Sequence, residues 1–275
     1  MSTLHKYTVQ KGEQVTLMDF YQTSNTIFTE IRRAVTPLVG TPEAGVITGT
    51  GADGTPTKYI DKIAEDIAIS HIKEENICHL LISEEAGKVE MEGDTGTIFL
   101  DPVDGTYNAL MNIPFFALSL AFVKDERLVE GFVGNLSNGD IFSAKKGKGS
   151  FMNGVPIRVS DTKDLQASAM SIYGKHFQYD RVVHLIRKIR RFRQFGASAL
   201  ELSYVGAGKI DGFVDLRRTL RATDAAAGLL ILEEAGGIVS DRDGNRLSLP
   251  DEVSIGNCLV GTNTHLHRKV IEYLR

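Results

Sequence analysis

Two aspartates frame a sharp turn in the segment TIFLDPVDGTYNALMN, which covers residues 97–112. Asp101 and Asp104 lie three residues apart, directly after a run of strand-forming residues, and Gly105 and Thr106 follow them. Because Asp-Pro and Asp-Gly pairs are common in turns, a purely structural turn is one explanation. The other is a site for hard divalent cations, on which carboxylates carried by a bending chain converge.

The spacing of these residues excludes two other acidic motifs. An EF-hand loop needs oxygen ligands at its first, third and fifth positions and glycine at the sixth. Here the carboxylates take the first and fourth positions, and Gly105 takes the fifth. The haloacid dehalogenase phosphatases place their two aspartates two residues apart, whereas Asp101 and Asp104 are three apart.

The octet DPVDGTYN, residues 101–108, matches the pattern D-P-x-D-G-T-x-N, and on this motif the chain resembles the inositol monophosphatase family. That family contains Mg²⁺-dependent, lithium-sensitive phosphatases, among them fructose-1,6-bisphosphatases and nucleotide phosphatases. Three further elements follow the family order: Asp61, the run SEE at 83–85 and the run TDAAAG at 223–228. The last departs from the family pattern W-D-x-A-A-G, because Thr223 replaces a tryptophan that packs and does not bind metal. The sequence is most similar to the archaeal branch, whose members are often dual inositol monophosphatases and fructose-1,6-bisphosphatases.

The resemblance implies two or three Mg²⁺ per subunit, with Mn²⁺ as a substitute, held by oxygen ligands from several segments. The implied ligands are Asp61, Glu84, Asp101, the main-chain carbonyl of Val103, Asp104 and Asp224. Asp101 would bridge the first two ions, with Glu84 on the first. Asp104 and Asp224 would hold the second ion, and Asp61 a weaker third. Carboxylates gathered in one cleft cost several kcal/mol each unless cations compensate them, so metal is expected to be required.

The resemblance also assigns catalytic roles. Glu84 and Thr106 would orient the attacking water, with Asp61 as the third catalytic group. Thr106 is predicted in the first turn of a helix, where backbone N–H groups lack partners and face anions. Asp104, Gly105 and Thr106 are therefore expected to contact the substrate phosphate. Glu85, by contrast, is interpreted as a strand end in solvent.

Candidate substrate contacts occur in the second half of the chain. Gly196, Ala197 and Ser198 form a turn that opens a predicted helix and is a candidate to bind a hydroxyl or a phosphate. Arg193 leads directly into this turn, whereas most of the basic run 187–193 is interpreted as a solvated surface.

Three arginines near the last acidic ligand indicate an anionic substrate. Arg217 lies seven residues before Asp224, where animal inositol monophosphatases carry a glutamate that contacts inositol hydroxyls. A forked cation at this position favours a second phosphate. Arg217, Arg218 and Arg221 together favour fructose 1,6-bisphosphate first and inositol 1-phosphate second. At least one of the three is expected to flank a helix or an interface instead.

Two other functions are considered. A nucleotide such as NADP or 3′-phosphoadenosine phosphate could be the substrate, although the sequence shows no dedicated adenine-stacking motif. Some bacterial members of the family act as RNA- or polymerase-associated factors, and the basic run 187–193 could serve such a role. The complete set of acidic ligands and the negative net charge argue against a purely binding protein.

Composition sets the outer limits. The chain has 275 residues, 42% hydrophobic and 24% charged, which is enough for one large core or two joined halves. A net charge of −4 gives no general attraction to nucleic acid or anionic membranes. Cys78 and Cys258 fit no metal-binding spacing and are interpreted as buried thiols in a reducing compartment. With no apolar span or signal sequence, a cytoplasmic protein is predicted, and the resemblance implies a homodimer.

Alternating helical and strand patterns predict an α/β (α+β) fold, which the resemblance refines to a layered αβαβα sandwich. A helix is predicted over 17–38 and a second from Ile60 onward. The Gly-, Thr- and Pro-rich segment 40–56 between them is interpreted as a mobile loop.

A boundary between two halves is predicted near residue 160. Residues 1–160 would carry most metal ligands. Residues 161–275 would carry Asp224 and the substrate-binding residues.

Overall fold

A computed structural model describes residues 16–52, 54–174, 179–247 and 258–274. Two β-sheets alternate with three layers of helices, which confirms the predicted αβαβα sandwich. None of the helices in the described ranges has the length and apolar character needed to cross a lipid bilayer. Cys78 and Cys258 are buried and not linked to one another, as predicted.

The described helices are α1 (Thr16–Val35), α2 (Tyr59–Glu75), α3 (Thr106–Leu110), α4 (Tyr179–Ile186), α5 (Ser198–Gly206), α6 (Ala222–Glu234) and α7 (His267–Leu274). Short 3-10 helices cover Thr36–Leu38, Glu43–Gly45 and Leu165–Ala167. The described strands of the first half are β1 (Ile47–Thr50), β2 (Pro56–Lys58), β3 (Leu80–Ser83), β4 (Gly87–Glu90), β5 (Thr97–Asp104), β6 (Ala117–Lys124), β7 (Arg127–Asn135), β8 (Ile141–Lys145), β9 (Gly149–Met152) and β10 (Val155–Pro156). Those of the second half are β11 (Ala169–Tyr173), β12 (Arg191–Arg193), β13 (Gly212–Asp215), β14 (Ile238–Ser240) and β15 (Leu259–Thr262).

The larger sheet has the strand order β10-β9-β8-β7-β6-β5-β3-β4. Only the β3–β5 pairing in it is parallel among the described strands. Every residue of β5 is buried, because helices cover both faces of the sheet at this strand. The sequence reflects this with a continuous apolar run rather than a polar–apolar alternation.

A bulge bends β5 at its end. Asp101 is opposite Ser119 of β6, and Asp104 is opposite Ala117, so β5 uses one residue more than β6 over this stretch. Pro102 lies inside the bulge and has no N–H to give to the ladder. The bulge re-aims the chain and brings both aspartates to the same end of the strand.

The smaller sheet has the order β12-β11-β13-β15-β14. β11 runs parallel to both β12 and β13, so these strands end at the same edge. Tyr173 and Asp215 are paired at the ends of β11 and β13. Side chains from two strands that are distant in sequence therefore meet at one edge of this sheet.

Three hydrophobic clusters fill the spaces between the layers. The first lies between α1, α2 and the larger sheet, and the third lies between the smaller sheet and α4 and α7. The middle cluster surrounds α5 and α6 and contains residues of both sheets. The boundary predicted near residue 160 stays a prediction. The central cluster contains residues from both sides of this boundary and joins the two halves into one packed core.

The segment between α1 and α2 is more ordered than the sequence indicated. Helix α1 ends at Val35, and the 3-10 turn that follows contains Pro37. Within the predicted loop 40–56, β1 and the first residue of β2 form an antiparallel pair, with Thr50 opposite Pro56. The mobility predicted for this loop stays a prediction, although one part of the loop has regular structure. A β-hairpin with all four residues of β1 exposed occupies it.

The contact between α5 and α6 depends on the absence of a side chain at Gly228. A Cβ added there would lie 2.7 Å from Leu202 Cβ and 3.1 Å from the Ala199 carbonyl oxygen. We expect Gly228→Ala to lower the free energy of unfolding by about 1–3 kcal/mol through overpacking, although alanine favours helix formation. Ser70→Ala on the exposed side of α2 is the control and should change it by less than about 0.5 kcal/mol. Denaturant titration measures both, and an unchanged or more stable Gly228→Ala protein would contradict the packing argument.

Candidate active site

Asp101 is the most deeply placed carboxylate of the bent strand end. Its side chain has no exposed surface, and Oδ1 accepts a hydrogen bond from Val103 N at 3.0 Å. Oδ2 is buried and accepts no hydrogen bond within the described residues. Buried carboxylate oxygens are normally paired, so an oxygen left in this state indicates that a cation or a proton completes the site.

Two more carboxylates converge on Asp101 from other elements. Glu84 follows β3, and Asp224 lies in the first turn of α6. One oxygen from each of Glu84, Asp101 and Asp224 lies within 4.8 Å of the other two. The two strand ends and one helix start thus form a buried acidic cluster, made of these three residues.

The surroundings of the acidic cluster disfavour negative charge. Burial raises the pKa of Glu84, Asp101 and Asp104 well above their usual ranges. Neighbouring carboxylates raise the three pKa values further, Asp224 being one of them in each case. The cluster can hold its full negative charge only if a positive charge enters it.

Arg221 supplies part of that positive charge. It precedes α6, and its Nε donates to Asp224 Oδ1 at 3.0 Å. Its Nη1 contacts Glu84 Oε1. These carboxylates keep the pKa of Arg221 raised even though burial alone would lower it. Arg221 therefore pairs with the acidic cluster, whereas the sequence grouped it with two other arginines as a candidate to bind a second phosphate.

Asp61 and Thr106 form a hydrogen-bonded pair beside the cluster. Thr106 Oγ1 lies 2.9 Å from Asp61 Oδ1 and 3.0 Å from the Val103 carbonyl oxygen, so its proton can go to either acceptor. Burial raises the pKa of Asp61 to about 7, and the hydrogen bond from Thr106 opposes this rise. Asp61 can therefore exchange a proton near neutral pH.

A cavity opens next to these residues. Its walls include a group of predicted residues, namely Asp104, Gly105, Thr106, Gly196, Ser198, Arg217, Arg221 and Asp224. Two tyrosines that were not among the predicted site residues, Tyr107 and Tyr173, also line it. The cavity is therefore bounded by the bent end of β5 on one side and by the edge of the smaller sheet on the other.

Three candidate substrate residues do not line this cavity. Arg193 lies in the exposed edge strand β12, and its Nη1 donates to the Phe192 carbonyl. Arg218 is exposed and lies beside the Cys258 thiol. Ala197 is buried in the central cluster. The structure gives no support for substrate contacts by these residues, because the chain directs each of them elsewhere.

The start of α5 is already occupied by an anion of the protein itself. Ser198 N and Ala199 N donate to the carboxylate of Asp104, at 3.2 Å and 2.7 Å. A carboxylate at a helix N-terminus satisfies unpaired donors and is favoured by the helix dipole. The expectation that this helix start binds a substrate phosphate with these amides is corrected accordingly. Ser198 instead contributes to the cavity wall.

Asn108 joins the two sides of the cavity, a role that its place in the octet does not reveal. Its Nδ2 donates to the Phe115 and Phe195 carbonyls, both at 2.7 Å. It thereby ties the segment after α3 to the turn that precedes α5. Its partner Phe195 is 87 residues away, so no local signal indicates this contact.

Glu85 and Glu65 position the segment that carries Glu84. Glu85 is half-buried and contacts the Thr57 hydroxyl, so its interpretation as a free strand end is wrong. Ala52 N donates to the carbonyls of Glu84 and Glu85, which joins the β1–β2 hairpin to the site. Glu65 accepts hydrogen bonds from the Ser83 hydroxyl and, at 2.9 Å, from the backbone N–H of the residue after Glu85. These bonds fix the direction in which Glu84 leaves β3.

The donor set fits a hard divalent cation. All three groups of the acidic cluster offer carboxylate oxygens, which Mg²⁺ and Mn²⁺ prefer over softer ligands. The buried Asp101 Oδ2 lacks a hydrogen-bond partner in the described chain, and burial disfavours the charged form of its carboxylate. A cation within the cluster would remove both costs.

Comparison with known proteins gives consistent results. A sequence model of the inositol monophosphatase family matches residues 16–275. The chain is 42% identical over 261 residues to the fructose-1,6-bisphosphatase/inositol-1-monophosphatase of Methanothermobacter thermautotrophicus, covering 89% of this chain and 92% of the relative. It is 35% identical over 278 residues to the bifunctional NADP phosphatase/NAD kinase of Methanococcus maripaludis, covering 92% of this chain and 49% of the relative. The solved inositol monophosphatase-fructose 1,6 bisphosphatase that is the MJ0109 gene product has a TM-score of 0.84 at 30% identity, covering 93% of this chain and 99% of that one.

The titration of the site predicts how metal affects stability. The pKa of Asp61 is about 7 in the folded protein, against an ordinary value of 3.8. At pH values between these two, the metal-free folded protein therefore holds a proton that the unfolded chain has released. Its stability therefore falls as the pH rises through this window. Cation binding needs carboxylates without protons, so the stabilisation by Mg²⁺ grows as the pH rises.

We expect saturating Mg²⁺ to raise the melting temperature of EDTA-treated protein by about 5–10 °C at pH 8 and by clearly less at pH 5.5. Differential scanning fluorimetry at the two pH values measures this difference. Asp101→Asn should abolish the shift, whereas Asp66→Asn, which changes an exposed carboxylate of α2, should keep it. A shift of equal size in both variants would mean that the cation binds elsewhere.

Proposed function

The chain belongs to the inositol monophosphatase family, and on this basis we propose that it is a Mg²⁺-dependent phosphomonoesterase acting on phosphorylated sugars. Fructose 1,6-bisphosphate is the first substrate and inositol 1-phosphate the second. The observation that carries the proposal is the acidic cluster, whose oxygens lie within 4.8 Å of one another beside a cavity that Arg217 also lines.

The metal ligands of this proposal are those of the acidic cluster, with Asp104, the Val103 carbonyl and Asp61 nearby. When bound, divalent cations would supply positive charge that activates the attacking water and stabilises the charge on the phosphate oxygens. Asp104 is held in place by the start of α5. Because that helix belongs to the second half of the chain, closing the site requires both halves.

Thr106 and Asp61 are proposed to move the proton of the attacking water. A water that donates to Thr106 Oγ1 can pass its proton along the bond from this oxygen to Asp61 Oδ1, which is 2.9 Å away. Asp61 suits this task because its carboxylate oxygen already accepts the hydrogen bond of the Thr106 hydroxyl beside the cluster. Glu84 is proposed to orient the water from the other side of the cluster.

Arg217 is proposed to bind a second phosphate of the substrate. Its Nε and Nη2 donate to Asp215, whose side chain has no exposed surface. Its guanidinium lies over the ring of Tyr173, with 4.4 Å from Cζ to the ring centroid. Within the described chain Nη1 donates to no acceptor, and the side chain keeps 32% of its surface exposed. A rigidly held, partly exposed guanidinium is suited to bind an anionic group.

A nucleotide substrate is the second candidate function. Tyr107 lines the same cavity, and 69% of its surface is exposed, so its ring is available to stack on a base. The Methanococcus maripaludis relative is named an NADP phosphatase/NAD kinase. The sequence shows no adenine-stacking motif, because a single tyrosine inside the octet 101–108 does not stand out as one.

We expect Asp101→Asn to lower kcat by about 10³-fold or more while the protein stays folded, because the variant loses a ligand charge at the centre of the cluster. Phosphate release in the presence of Mg²⁺ measures kcat, and circular dichroism checks the fold. Asp66→Asn serves as the matched surface control. Near wild-type turnover in Asp101→Asn would remove the acidic cluster from the mechanism.

Phosphate release from four compounds, compared at equal Mg²⁺ and with an EDTA control, tests the substrate class. The compounds are fructose 1,6-bisphosphate, inositol 1-phosphate, NADP and 3′-phosphoadenosine 5′-phosphate. We expect the first two to be hydrolysed at similar rates, and Arg217→Ala to raise KM for the bisphosphate by about 10–100-fold with a smaller effect on the monophosphate. If NADP dominates and Tyr107→Ala removes that preference, the nucleotide candidate is correct instead. If Mg²⁺ supports release from none of the four, the proposed function is wrong.

A further inference from the structure

Glu201 is a buried carboxylate that the metal site and the proposed reaction do not use. It lies on α5, inside the central core, and its side chain has no exposed surface. Three donors converge on its Oε1, namely the Ser171 hydroxyl at 2.7 Å, the Tyr173 hydroxyl at 2.9 Å and Phe195 N at 2.7 Å. Its Oε2 accepts no hydrogen bond within the described residues. Such a group is costly to bury, so its retention calls for a role.

The bonds of Glu201 reach the cavity through Tyr173. The Tyr173 hydroxyl donates to Glu201 and accepts a hydrogen bond from Gly196 N at 2.8 Å. Gly196 has a φ of +90°, which a residue with a side chain rarely adopts. The hydroxyl is thus fixed by one donor and one acceptor, which holds the outer end of the ring in place and sets the course of the turn before α5.

The position of the Tyr173 ring in turn affects the place of Arg217. The guanidinium lies over the ring face at 4.4 Å, and Asp215 holds two of its nitrogens at the neighbouring strand end. A cation over an aromatic face is stabilised only while the ring stays beneath it. The direction of the remaining donor edge therefore depends on Tyr173, and through it on Glu201.

We propose that Glu201 is a positioning residue that fixes Tyr173 and the Phe195–Gly196 turn, so that Arg217 faces a second anionic group of the ligand. This deepens the proposed function and rests on it for the identity of the substrate. The site then selects bisphosphorylated over monophosphorylated ligands because the Arg217 guanidinium is held in place before the ligand binds.

The three donors that converge on one oxygen explain why residue 201 is a glutamate. A carboxylate oxygen accepts several hydrogen bonds at once. Burial raises the pKa of Glu201 to about 7, against the opposing effect of these three hydrogen bonds. Glutamine keeps one oxygen acceptor at the same place, whereas leucine would leave the three donors without an acceptor in the core.

The test compares two ligands that the enzyme cannot cleave, because their phosphorus is bonded to carbon. Hexane-1,6-diyl bisphosphonate and hexylphosphonate are titrated into the Mg²⁺-loaded protein by isothermal calorimetry. The ratio of their dissociation constants is the readout, since damage to the whole fold affects both ligands alike. We expect the wild-type protein to prefer the bisphosphonate by about tenfold or more.

Four variants locate the origin of that preference. Tyr173→Phe keeps the ring but loses the hydroxyl, and Glu201→Leu loses the acceptor, so both should bring the ratio close to one. Glu201→Gln and Ser171→Ala should stay within about threefold of the wild-type ratio, since the first keeps the acceptor and the second removes only a donor outside the cavity wall. In kinetics with fructose 1,6-bisphosphate, Tyr173→Phe should raise KM about tenfold and leave kcat within about twofold.

The inference is overturned if the wild-type protein shows no preference between the two phosphonates, or if Tyr173→Phe and Glu201→Leu retain it. It is also overturned if Ser171→Ala loses the preference as fully as Glu201→Leu, because general packing would then explain both. A wild-type preference that Tyr173→Phe and Glu201→Leu lose, without phosphate release from any sugar phosphate, would support the positioning role and refute the proposed function.

Discussion

Carboxylates that lie side by side in a buried site repel one another, and this repulsion is the constraint around which the molecule is built. Glu84, Asp101 and Asp224 come from three separate elements whose packing forces their oxygens within 4.8 Å. Only a strong core can hold like charges this close, and a cation or a proton must relieve them. The bulged strand end and the buried helix α6 thus depend on each other, because together they hold the acidic cluster.

The central layer provides the rigidity that this arrangement needs. The first eleven residues of α6, Ala222 to Leu232, are all buried, and the Ser119 hydroxyl of β6 donates to the Thr223 carbonyl at 2.9 Å. This hydrogen bond fixes the position of the first turn of α6 along β6, and therefore where Asp224 lies relative to Asp101. The small residues of the TDAAAG run let the helix approach the sheet closely, so the motif has both a chemical and a packing function.

The two sheets contribute different properties to the site. The larger sheet supplies most of the carboxylates of the site from the ends of β3 and β5, whereas the smaller sheet supplies Tyr173 and Arg217 from its edge. In the proposed function, reaction chemistry and ligand choice would therefore be carried by separate elements. Under that proposal, changes at the edge of the smaller sheet would alter the preferred substrate without disturbing the proposed metal ligands.

Strand and helix periods in the sequence by themselves determined an α/β (α+β) fold, because they are local patterns. The octet around Asp101 is also local, and the family resemblance that it carries implied the layered sandwich and the acidic residues of the site. Tertiary structure alone decided what those residues touch. The Asp104 carboxylate accepts hydrogen bonds from two backbone amides at the start of α5, which lie 94 and 95 residues away in the sequence. The Glu201 carboxylate accepts one from the Ser171 hydroxyl, 30 residues away. No spacing in the sequence indicates such pairs, because they form only when the layers of the fold pack against each other. The same reason explains why Arg193 lies outside the cavity although it leads directly into the predicted turn.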